Sequence, residues 1–576
     1  MLPDSQSKDL IETFARGGIP RRAFIRYAAL LGVSAGLVRE TLFANPATAQ
    51  DAPPEPTGPR ADGTPVADDA QILRMVVPSP YRMDPPTYGG DLWQLQMMVF
   101  QSLTRIETDG SVVPGIADTW EVNADATVWT FALNPAAKFS DGSAITAADV
   151  KWSFEWIANP LSTSTSADLL AGKIVGYEKL RDSSATEFEG IVAVDDHTVE
   201  FTLSSPASYF DAVVAHYAGS VLQRANVETG EEWWRTPVTS GFFKVTEYTP
   251  GDQTTMTLER NEHWFREPAK LSKLTFALVA DPQTQLVQYD NNEIDGLVCQ
   301  PAEFAQATKP DNERAADLYW DIADATWYFG FAIFKAPFDD VKVRQAFASA
   351  IDLNAISIAG LSGIYPPQPR IIRPGFPGGG DEQWQPTYDV EKAKLLLSES
   401  TYGSAEGLGP ITIIISEQGG ATALGTWGKV ATIIQQQLQE NLGVSVDLIR
   451  QVFNSTPEQV DFINATEGGA IFRLSLGAGI QDPSYISPLG KTGGSSNITG
   501  YSNPELDSLI AQADADTNPE TRLPLYAQID QKLSEDAIFL APFRGTSTWF
   551  FKPNVRGMSV VQGRIWQSIH KMYIAE

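Results

Sequence analysis

Apolar and polar residues follow two different periods along this chain, and each period predicts one kind of secondary structure. Alternation with a period of two, or an unbroken β-branched run, predicts strands at 72–77, 129–133, 197–203 and 411–415. The last strand, Ile411-Thr412-Ile413-Ile414-Ile415, has no polar face, so we expect it to be buried on both sides of a sheet. No repeat of fixed length connects these segments.

Apolar residues spaced three or four apart predict helices that bury one stripe. The sequence Thr146-Ala147-Ala148-Asp149 resembles a capping box at the start of such a helix. Asp339 is the predicted N-cap of a second helix, and Pro504 suits the first turn of a third. The stripes of these three helices and of a fourth are Val150, Phe154 and Ile157; Val343, Ala346, Phe347, Ala350 and Ile351; Leu506, Leu509 and Ile510; and Leu523, Tyr526, Ile529 and Leu533. This mixture predicts an α/β protein with more than one domain.

The N-terminal residues have the order of an export signal. Arg21 and Arg22 precede an apolar run at 27–38, and a small-residue cleavage site, Ala47-Thr48-Ala49, follows. This order predicts a twin-arginine signal peptide at 1–49 and a flexible linker at 50–70. The alternatives are an amphipathic helix or a membrane anchor, but the run has twelve residues, whereas a bilayer-spanning helix needs about 20. We therefore expect export through the twin-arginine translocase to the periplasm.

Charge and composition narrow the possible functions. The formal net charge of −29 becomes −31 without residues 1–49, which carry six Lys or Arg and four Asp or Glu. Such an acidic chain disfavours nucleic acid and anionic membranes as partners. One cysteine, Cys299, and four scattered histidines argue against a disulfide, a lipid-modified N-terminus and a His/Cys metal cluster. We expect neither a metal nor another cofactor, which disfavours the redox enzymes that often use twin-arginine export.

Eight short motifs stand in an order that resembles family 5 of the extracytoplasmic solute-binding proteins, the dipeptide-, oligopeptide- and nickel-binding receptors of ABC importers. The motifs are Met83-Asp84-Pro85, 109–120, 138–150, 240–245, 292–295, 337–346, Gln481-Asp482-Pro483 and 500–507. Each motif alone is weak, and their shared order over 71–545 carries the resemblance. Within them, Asp109-Gly110 and Asp141-Gly142 are predicted to form tight turns.

The resemblance implies a two-lobed periplasmic-binding-protein fold of type II, in its three-domain, pear-shaped form. Carried onto this chain, it gives a lobe I, an inserted domain II and a lobe III, with hinge crossings near 325 and 525. The corresponding ranges are 71–109, 233–325 and 525–576 for lobe I, 110–232 for domain II and 326–524 for lobe III.

The resemblance also implies a function. The chain would capture a small solute by hinge closure and deliver it to the permease and ATPase subunits of an ABC importer, as a periplasmic monomer without a lipid anchor. It would not be an enzyme, because no nucleophile motif or cofactor loop is visible; Gly490-Lys491-Thr492 copies the end of a phosphate-binding loop, but Tyr485 replaces its required glycine. The alternatives are an exported hydrolase such as a glycosidase, or a chemosensory co-receptor with the same fold.

Candidate ligand contacts come from the segments that line the cleft in relatives. Four aromatic residues are candidates for stacking on a solute, with core packing as the alternative role. Arg370 and Arg373 are candidates for gripping a carboxylate, and a surface ion pair in a Pro-rich loop is the alternative. The aromatic candidates are Tyr88, Trp93, Trp327 and Tyr328.

The late Asp-Pro motif bears on the ligand class. In dipeptide receptors of this family, an aspartate three residues before the Asp-Pro pairs with the amino group of the peptide, and the matching residue here is Gly479. Asp482 is an alternative partner for an ammonium group, and a loop shifted by one or two residues is another explanation. We therefore place a carbohydrate-derived or opine-like solute level with, or ahead of, an oligopeptide.

Overall fold

The computed structural model describes most of the chain after the predicted signal peptide. The described residues are 60, 63–77, 83–85, 95–107, 109–164, 166–249, 255–309, 311–416, 421–453, 456–477, 480–494, 496–558 and 569–576. They belong to one unit, Pro56–Glu576. The signal residues Arg21, Arg22, Ala47 and Ala49, and the candidates Tyr88, Trp93 and Gly479, lie outside them. No helix in the described ranges has the length and apolar character needed to cross a membrane.

The strands are numbered β1 to β18 in chain order. They are β1 Ile72–Val77, β2 Thr104–Ile106, β3 Val112–Pro114, β4 Ala117–Val122, β5 Val128–Leu133, β6 Ile191–Asp195, β7 Thr198–Thr202, β8 Phe243–Thr249, β9 Thr255–Arg260, β10 Lys273–Leu278, β11 Gly296–Val298, β12 Leu318–Phe331, β13 Ile411–Ser416, β14 Asp447–Gln451, β15 Gly469–Gly477, β16 Phe543–Phe551, β17 Val555–Arg556 and β18 Tyr573–Ile574.

The α-helices are numbered α1 to α16 in the same way. They are α1 Gln96–Val99, α2 Ala147–Ala158, α3 Ala167–Ala171, α4 Tyr177–Arg181, α5 Phe210–Val213, α6 Arg224–Val227, α7 Pro282–Asp290, α8 Pro301–Ala307, α9 Val341–Ser349, α10 Leu353–Leu361, α11 Val390–Ser398, α12 Ala421–Leu442, α13 Thr456–Ala465, α14 Ser487–Gly490, α15 Pro504–Ala515 and α16 Pro519–Glu535. Short 3₁₀ turns lie at Asp68–Ala70, Pro160–Ser162, Tyr217–Gly219, Trp233–Arg235, Ala405–Leu408 and Pro483–Ile486.

A ten-stranded mixed sheet runs through the molecule in the order β14-β13-β15-β12-β16-β11-β1-β10-β9-β8. Its two outer parts are joined through β12 and β16. The first part of β12 pairs with β16 from Leu318↔Phe550 to Ile322↔Thr546, and its last part pairs with β15 from Ala325↔Gly477 to Phe331↔Ile471. The β12–β16 register is irregular between Ile322 and Thr326. Pairing with β16 resumes beyond this irregularity, from Thr326↔Arg544 to Trp327↔Phe543, so residues 326 and 327 of β12 lie between β16 on one edge and β15 on the other.

The predicted inserted domain has a core of its own. Strands β4, β5, β7 and β6 form a separate four-stranded antiparallel sheet. The stripe Val150, Phe154 and Ile157 of α2 is fully buried against it, and Phe154 meets Phe201 edge to face with ring centroids 5.1 Å apart. Such aromatic contacts give a small domain a large buried apolar area.

Helices cover both faces of the β13-β15-β12 part of the large sheet. One cluster contains Val343 and Phe347 of α9 with Ile411, Ile413 and Ile415 of β13. On the other face, Tyr526, Ile529 and Leu533 of α16 pack with Leu506 of α15 and with Tyr328. Strand β13 is buried on both sides, which confirms the prediction from its apolar run.

Most predicted local features are confirmed. Asp149 accepts a hydrogen bond from the Thr146 amide at 2.9 Å in the predicted capping box, and Pro504 lies in the first turn of α15. Gly110 and Gly142 have φ values of +84° and +87°, which the two predicted turns require.

Other local predictions were wrong. The N-cap of α9 is Asp340, whose carboxylate accepts from the Lys342 amide at 2.8 Å. Asp339 instead accepts from the Tyr402 hydroxyl at 2.8 Å. Part of the predicted flexible linker is ordered, because Pro65 forms a bridge with Ala575 and the Val66 amide donates to the Ile574 carbonyl at 3.0 Å.

Candidate functional site

Arg473 of β15 is buried among aromatic rings. Its side chain lies on the face of the sheet that carries Phe329 of β12, which is its register partner. Only 6% of the residue is exposed. The Cζ atom lies 4.6 Å from the ring centroid of Trp327 and 5.1 Å from that of Trp427. Both distances lie within the range of a cation–π interaction.

Three aromatic residues, from β12, α12 and the segment after α10, form the walls around this guanidinium. The centroids of Trp327 and Trp427 are 5.7 Å apart, those of Trp327 and Tyr365 are 6.4 Å apart, and those of Tyr365 and Trp427 are 6.1 Å apart. We call Trp327, Tyr365, Trp427 and Arg473 the Arg473 cluster. Its members come from segments distant in the sequence, so packing of the whole lobe creates it.

The charge of Arg473 has no counter-ion within the described residues. Its buried Nε has no hydrogen-bond partner among those residues either. Burial lowers the pKa of the guanidinium to about 10, and only the Tyr365 side chain, a neutral phenol at pH 7, opposes that shift. Arg473 is therefore still protonated at neutral pH. A buried cation without an anion is energetically unfavourable, so the cluster is suited to receive an anionic group.

Trp327 and Tyr328, two aromatic candidates from the sequence, lie on opposite faces of the large sheet. Trp327 is a partly buried wall of the Arg473 cluster. Tyr328 points to the opposite face of the sheet, where its ring centroid lies 3.8 Å from that of Phe539. Burial raises the pKa of Tyr328 well above its ordinary value. The structure thus places Tyr328 in the apolar core beside α16.

Arg370 is held by protein groups on all sides. Its Nε donates to Asp530 at 2.7 Å, its Nη1 to Glu382 at 2.8 Å and its Nη2 to the Gly378 carbonyl at 3.0 Å. Its Cζ atom lies 3.6 Å from the ring centroid of Trp384. The ion pair is buried, so the surface location considered from the sequence is wrong, and a ligand would have to displace these partners.

The remaining charged candidates lie elsewhere. Arg373 is partly buried; its Nη1 donates to the Pro374 carbonyl at 3.1 Å, and its Cζ atom lies 5.4 Å from the Phe376 ring centroid. Asp482 caps the 3₁₀ turn at Pro483–Ile486 and accepts from Arg522 Nη1 at 2.7 Å and Nη2 at 2.5 Å. The Asp482 carboxylate therefore already has a cationic partner within the protein.

Arg473, Tyr365 and Trp427 were not among the candidates from the sequence. One signal was available for Arg473, because it is a charged residue within the apolar run Ala470-Ile471-Phe472-Arg473-Leu474. A charge in a strand of a covered sheet requires a partner or a function. Tyr365 and Trp427 gave no comparable signal, since aromatic residues are common in cores.

No group of three or more metal-ligating side chains is found in the part of the chain that the structure describes. Cys299 is buried and burial raises the pKa of its thiol far above the ordinary value. A thiol in that state is a poor nucleophile.

Comparisons with known proteins agree with this architecture. The model of the family described as "Bacterial extracellular solute-binding proteins, family 5 Middle" matches residues 111–497. The periplasmic oligopeptide-binding protein OppA of Escherichia coli K12 is 27% identical over 545 residues, 91% of this chain and 95% of that protein. The dipeptide-binding protein DppE of Bacillus subtilis 168 is 28% identical and covers 80% of this chain and 83% of its own length. The solved unliganded open form of MppA, a periplasmic murein tripeptide-binding protein, is 25% identical with a TM-score of 0.74 and covers 89% of this chain and 99% of its own.

Proposed function

This chain belongs to the family 5 bacterial extracellular solute-binding proteins, and on that premise we propose that it captures a small solute bearing a carboxylate for an ABC importer. The Arg473 cluster carries the proposal. A protonated guanidinium that is 6% exposed and has an unpartnered Nε is best stabilised by a bidentate anion, and a carboxylate has the matching geometry. Trp327 and Trp427 supply apolar contact area for the rest of the solute.

A negative charge on the solute separates the ligand classes that were expected from the sequence. The C-terminus of a peptide and the acid groups of an acidic opine both carry a carboxylate, whereas a neutral oligosaccharide does not. OppA and DppE are named as oligopeptide- and dipeptide-binding proteins. Peptides with a free C-terminus and acidic opines are therefore the first solutes to test, and neutral sugars become the negative set.

Capture would proceed by closure of the two outer parts of the molecule. We place the crossings at 322–326 of β12 and at 543–547 of β16, where the register between these strands is irregular. The crossing expected near 525 falls inside α16, which packs with Tyr328 and α15. Closure removes water from the solute and strengthens its polar contacts.

We also propose that the chain is exported by the twin-arginine route to the periplasm. The support is the order of Arg21-Arg22, the apolar run at 27–38 and Ala47-Thr48-Ala49. Replacing both arginines with lysine should leave folded precursor in the cytoplasm, as seen by fractionation and immunoblotting. Normal periplasmic delivery of that variant would reject the twin-arginine route.

Thermal unfolding tests the solute proposal. The purified protein is screened against di- to pentapeptides with free or amidated C-termini, acidic opines and neutral oligosaccharides. A solute present at 100 times its Kd stabilises the folded state by about 2.7 kcal/mol. We expect this stabilisation only from carboxylate-bearing solutes, and we expect Arg473→Gln to weaken their binding by about 10- to 100-fold.

The melting temperature of Arg473→Gln without solute is the control that distinguishes lost binding from unfolding. Removing an unpartnered buried charge should leave the melting temperature of solute-free Arg473→Gln unchanged or higher, so loss of binding would not reflect unfolding. Arg224→Gln is the matched substitution, because Arg224 is exposed and pairs with Glu228, the C-cap residue of its own helix. Tight binding of a neutral sugar that Arg473→Gln leaves intact would contradict the proposal.

A further inference from the structure

The predicted inserted domain, 110–232, is attached at both of its ends to the segment 101–103, which precedes it in the chain. The Gly115 amide donates to the Leu103 carbonyl at 3.1 Å, and the Val221 amide donates to the Gln101 carbonyl at 2.9 Å. Arg266, which precedes β10, donates to the Gly115 carbonyl at 2.8 Å and to Asp118 at 2.7 Å. Domain II therefore moves with the β1 and β8–β10 side of the large sheet.

Helices α15 and α16 belong to the other side. Tyr526, Ile529 and Leu533 of α16 lie in the same apolar cluster as Ile371 and Tyr328. The buried Asp530 of α16 pairs with Arg370 at 2.7 Å. Tyr485, which follows β15, donates to the Ile371 carbonyl at 3.1 Å. These elements therefore move with β15 and with the part of β12 that follows the proposed crossing, which carry Arg473 and Trp327.

Polar contacts nevertheless join domain II to these two helices, and most of them meet at Asp514, near the end of α15. The Asp514 carboxylate lies 3.4 Å from Lys173 Nζ and accepts from the Tyr209 hydroxyl at 3.5 Å. Its backbone carbonyl accepts from the Ser208 amide at 3.0 Å. The same carboxylate accepts from Tyr526 at 2.7 Å. One acidic residue thus receives donors from both sides.

Two further contacts close this junction. The Arg522 guanidinium, held by Asp482, lies 5.4 Å from the ring centroid of Tyr209. Ile480 is 5% exposed and joins the apolar core cluster of domain II. Ile480 lies three residues beyond the end of β15 in the sequence, so the core of domain II holds a residue that follows the strand of Arg473 closely along the chain. We call Lys173, Tyr209, Ile480, Asp514 and Arg522 the clasp.

We propose that the clasp couples domain II to opening of the solute site: the two sides cannot separate unless Lys173 and Tyr209 leave Asp514 and Ile480 leaves the domain II core. Domain II would then be a latch on the closed form. The clasp is largely polar, with Ile480 as its aliphatic residue, and polar interfaces of limited size between domains are typical of reversible contacts. The inference concerns closure and stands independently of which solute Arg473 binds.

Distances between spin labels test the latch in solute-free protein. In a Cys299→Ala background, labels are attached after Leu161→Cys in domain II and Ser508→Cys on α15; both positions are exposed. When the clasp residues are wild type, double electron–electron resonance should show mainly one short distance between the two labels. Lys173→Met with Tyr209→Phe removes the two side-chain donors to Asp514 and should raise the ratio of separated to closed forms by about tenfold.

Matched variants distinguish a latch from a packing contact. Lys179→Met breaks an exposed ion pair that lies wholly within domain II and should leave the distances unchanged. Ile480→Ala should shift them in the same direction as the double variant and speed hydrogen exchange at 480–490. Unchanged distances in both folded clasp variants would overturn the inference, whether or not their melting temperatures fall. Because no solute is present, neither result depends on the carboxylate proposal.

Discussion

At the residue scale, the structure separates charges that the sequence makes look alike. Arg370, Arg473 and Arg522 are all nearly inaccessible to solvent. Arg370 and Arg522 each pair with a buried carboxylate, Asp530 and Asp482 respectively. Arg473 lacks such a partner in the described part of the chain. The same side chain is thus structural in two places and is suited to binding in the third, because the contribution of a buried charge depends on its counter-ion.

Asp211 beside the clasp gives a pH-dependent prediction. Burial, aided by the nearby Asp482 charge, raises the pKa of Asp211 to about 6 from an ordinary 3.8. An acid whose folded pKa is raised binds its proton more tightly in the folded state. Its contribution to stability is therefore largest below about pH 4 and is lost as the pH rises to about 6.

Asp211→Asn should consequently stabilise the protein at pH 7.5, by on the order of 2 kcal/mol. The difference from wild type should disappear at pH 4, where wild-type Asp211 is already protonated. Urea unfolding of both proteins at the two pH values measures this. An equal difference at both values would show that Asp211 titrates normally.

The Arg370 pairs provide a second prediction, with an internal comparison. Asp530 is fully buried and also accepts from the Ile371 and Ile372 amides at 2.8 and 3.0 Å. Asp530→Ala should destabilise the protein by about 3–5 kcal/mol, since it removes the buried counter-ion of Arg370 and leaves two buried amides without their acceptor. The side chain of Glu382 is 61% exposed, and Glu382→Gln should cost less than about 1 kcal/mol. Chemical denaturation measures the unfolding free energy of both variants. Similar losses in the two would contradict the difference in burial between Asp530 and Glu382.

At the scale of elements, helix α15 depends on its first turn. Asn503 is the N-cap, and its side-chain oxygen accepts from the Glu505 amide at 3.0 Å and the Leu506 amide at 3.3 Å. Pro504 occupies the following position, where its missing amide hydrogen costs nothing. The far end of the same helix presents Asp514 to the clasp, so the cap and the clasp act on one rigid element.

We predict that Asn503→Ala lowers the unfolding free energy by about 1 kcal/mol, because two amides of the first turn lose their acceptor. Asn503→Asp should restore it, since aspartate also caps and favours the positive end of the helix dipole. Thermal and urea unfolding measure both variants. A loss of the same size in Asn503→Asp would mean that capping is not the cause.

At the scale of the whole molecule, the crossing of β12 and β16 leaves no space at Gly545. A Cβ atom there would stand 2.9 Å from both the Cβ and the carbonyl oxygen of Ala325, at the irregularity of β12. The Ala325 backbone cannot move aside as the end of a flexible side chain can. Gly545 therefore permits the close approach of the two strands where we place the hinge.

Gly545→Ala should move the strands apart and change the distance between the labels on domain II and α15, with a stability loss of about 1–3 kcal/mol. Double electron–electron resonance and thermal unfolding measure the two effects. Gly477→Ala is the control, because its added Cβ meets nothing within 4 Å. A Gly545→Ala protein with wild-type distances would place the hinge elsewhere.

Much of the architecture could be predicted from the chain. The strand at 411–415, the stripe of α2 and the Asp-Gly turns depend on local periodicity and backbone preference, which short segments encode by themselves. The N-cap of α9 was misplaced by one residue because Asp339 and Asp340 are chemically equivalent caps. The Asp340 carboxylate also accepts from the Thr401 amide at 2.7 Å, 61 positions away, and no local pattern contains that contact.

The sequence by itself determined the fold class, the family through the order of its motifs, and an acidic chain with one cysteine. Tertiary structure alone decided which charged residues are satisfied. Arg370 meets Asp530 across 160 positions, and Trp327, Tyr365 and Trp427 surround Arg473 from three separate segments. Periodicity indicates which face of an element is buried. The cost of burying a charge depends on the partners that long-range packing delivers, so only the folded chain distinguishes a structural arginine from a binding one.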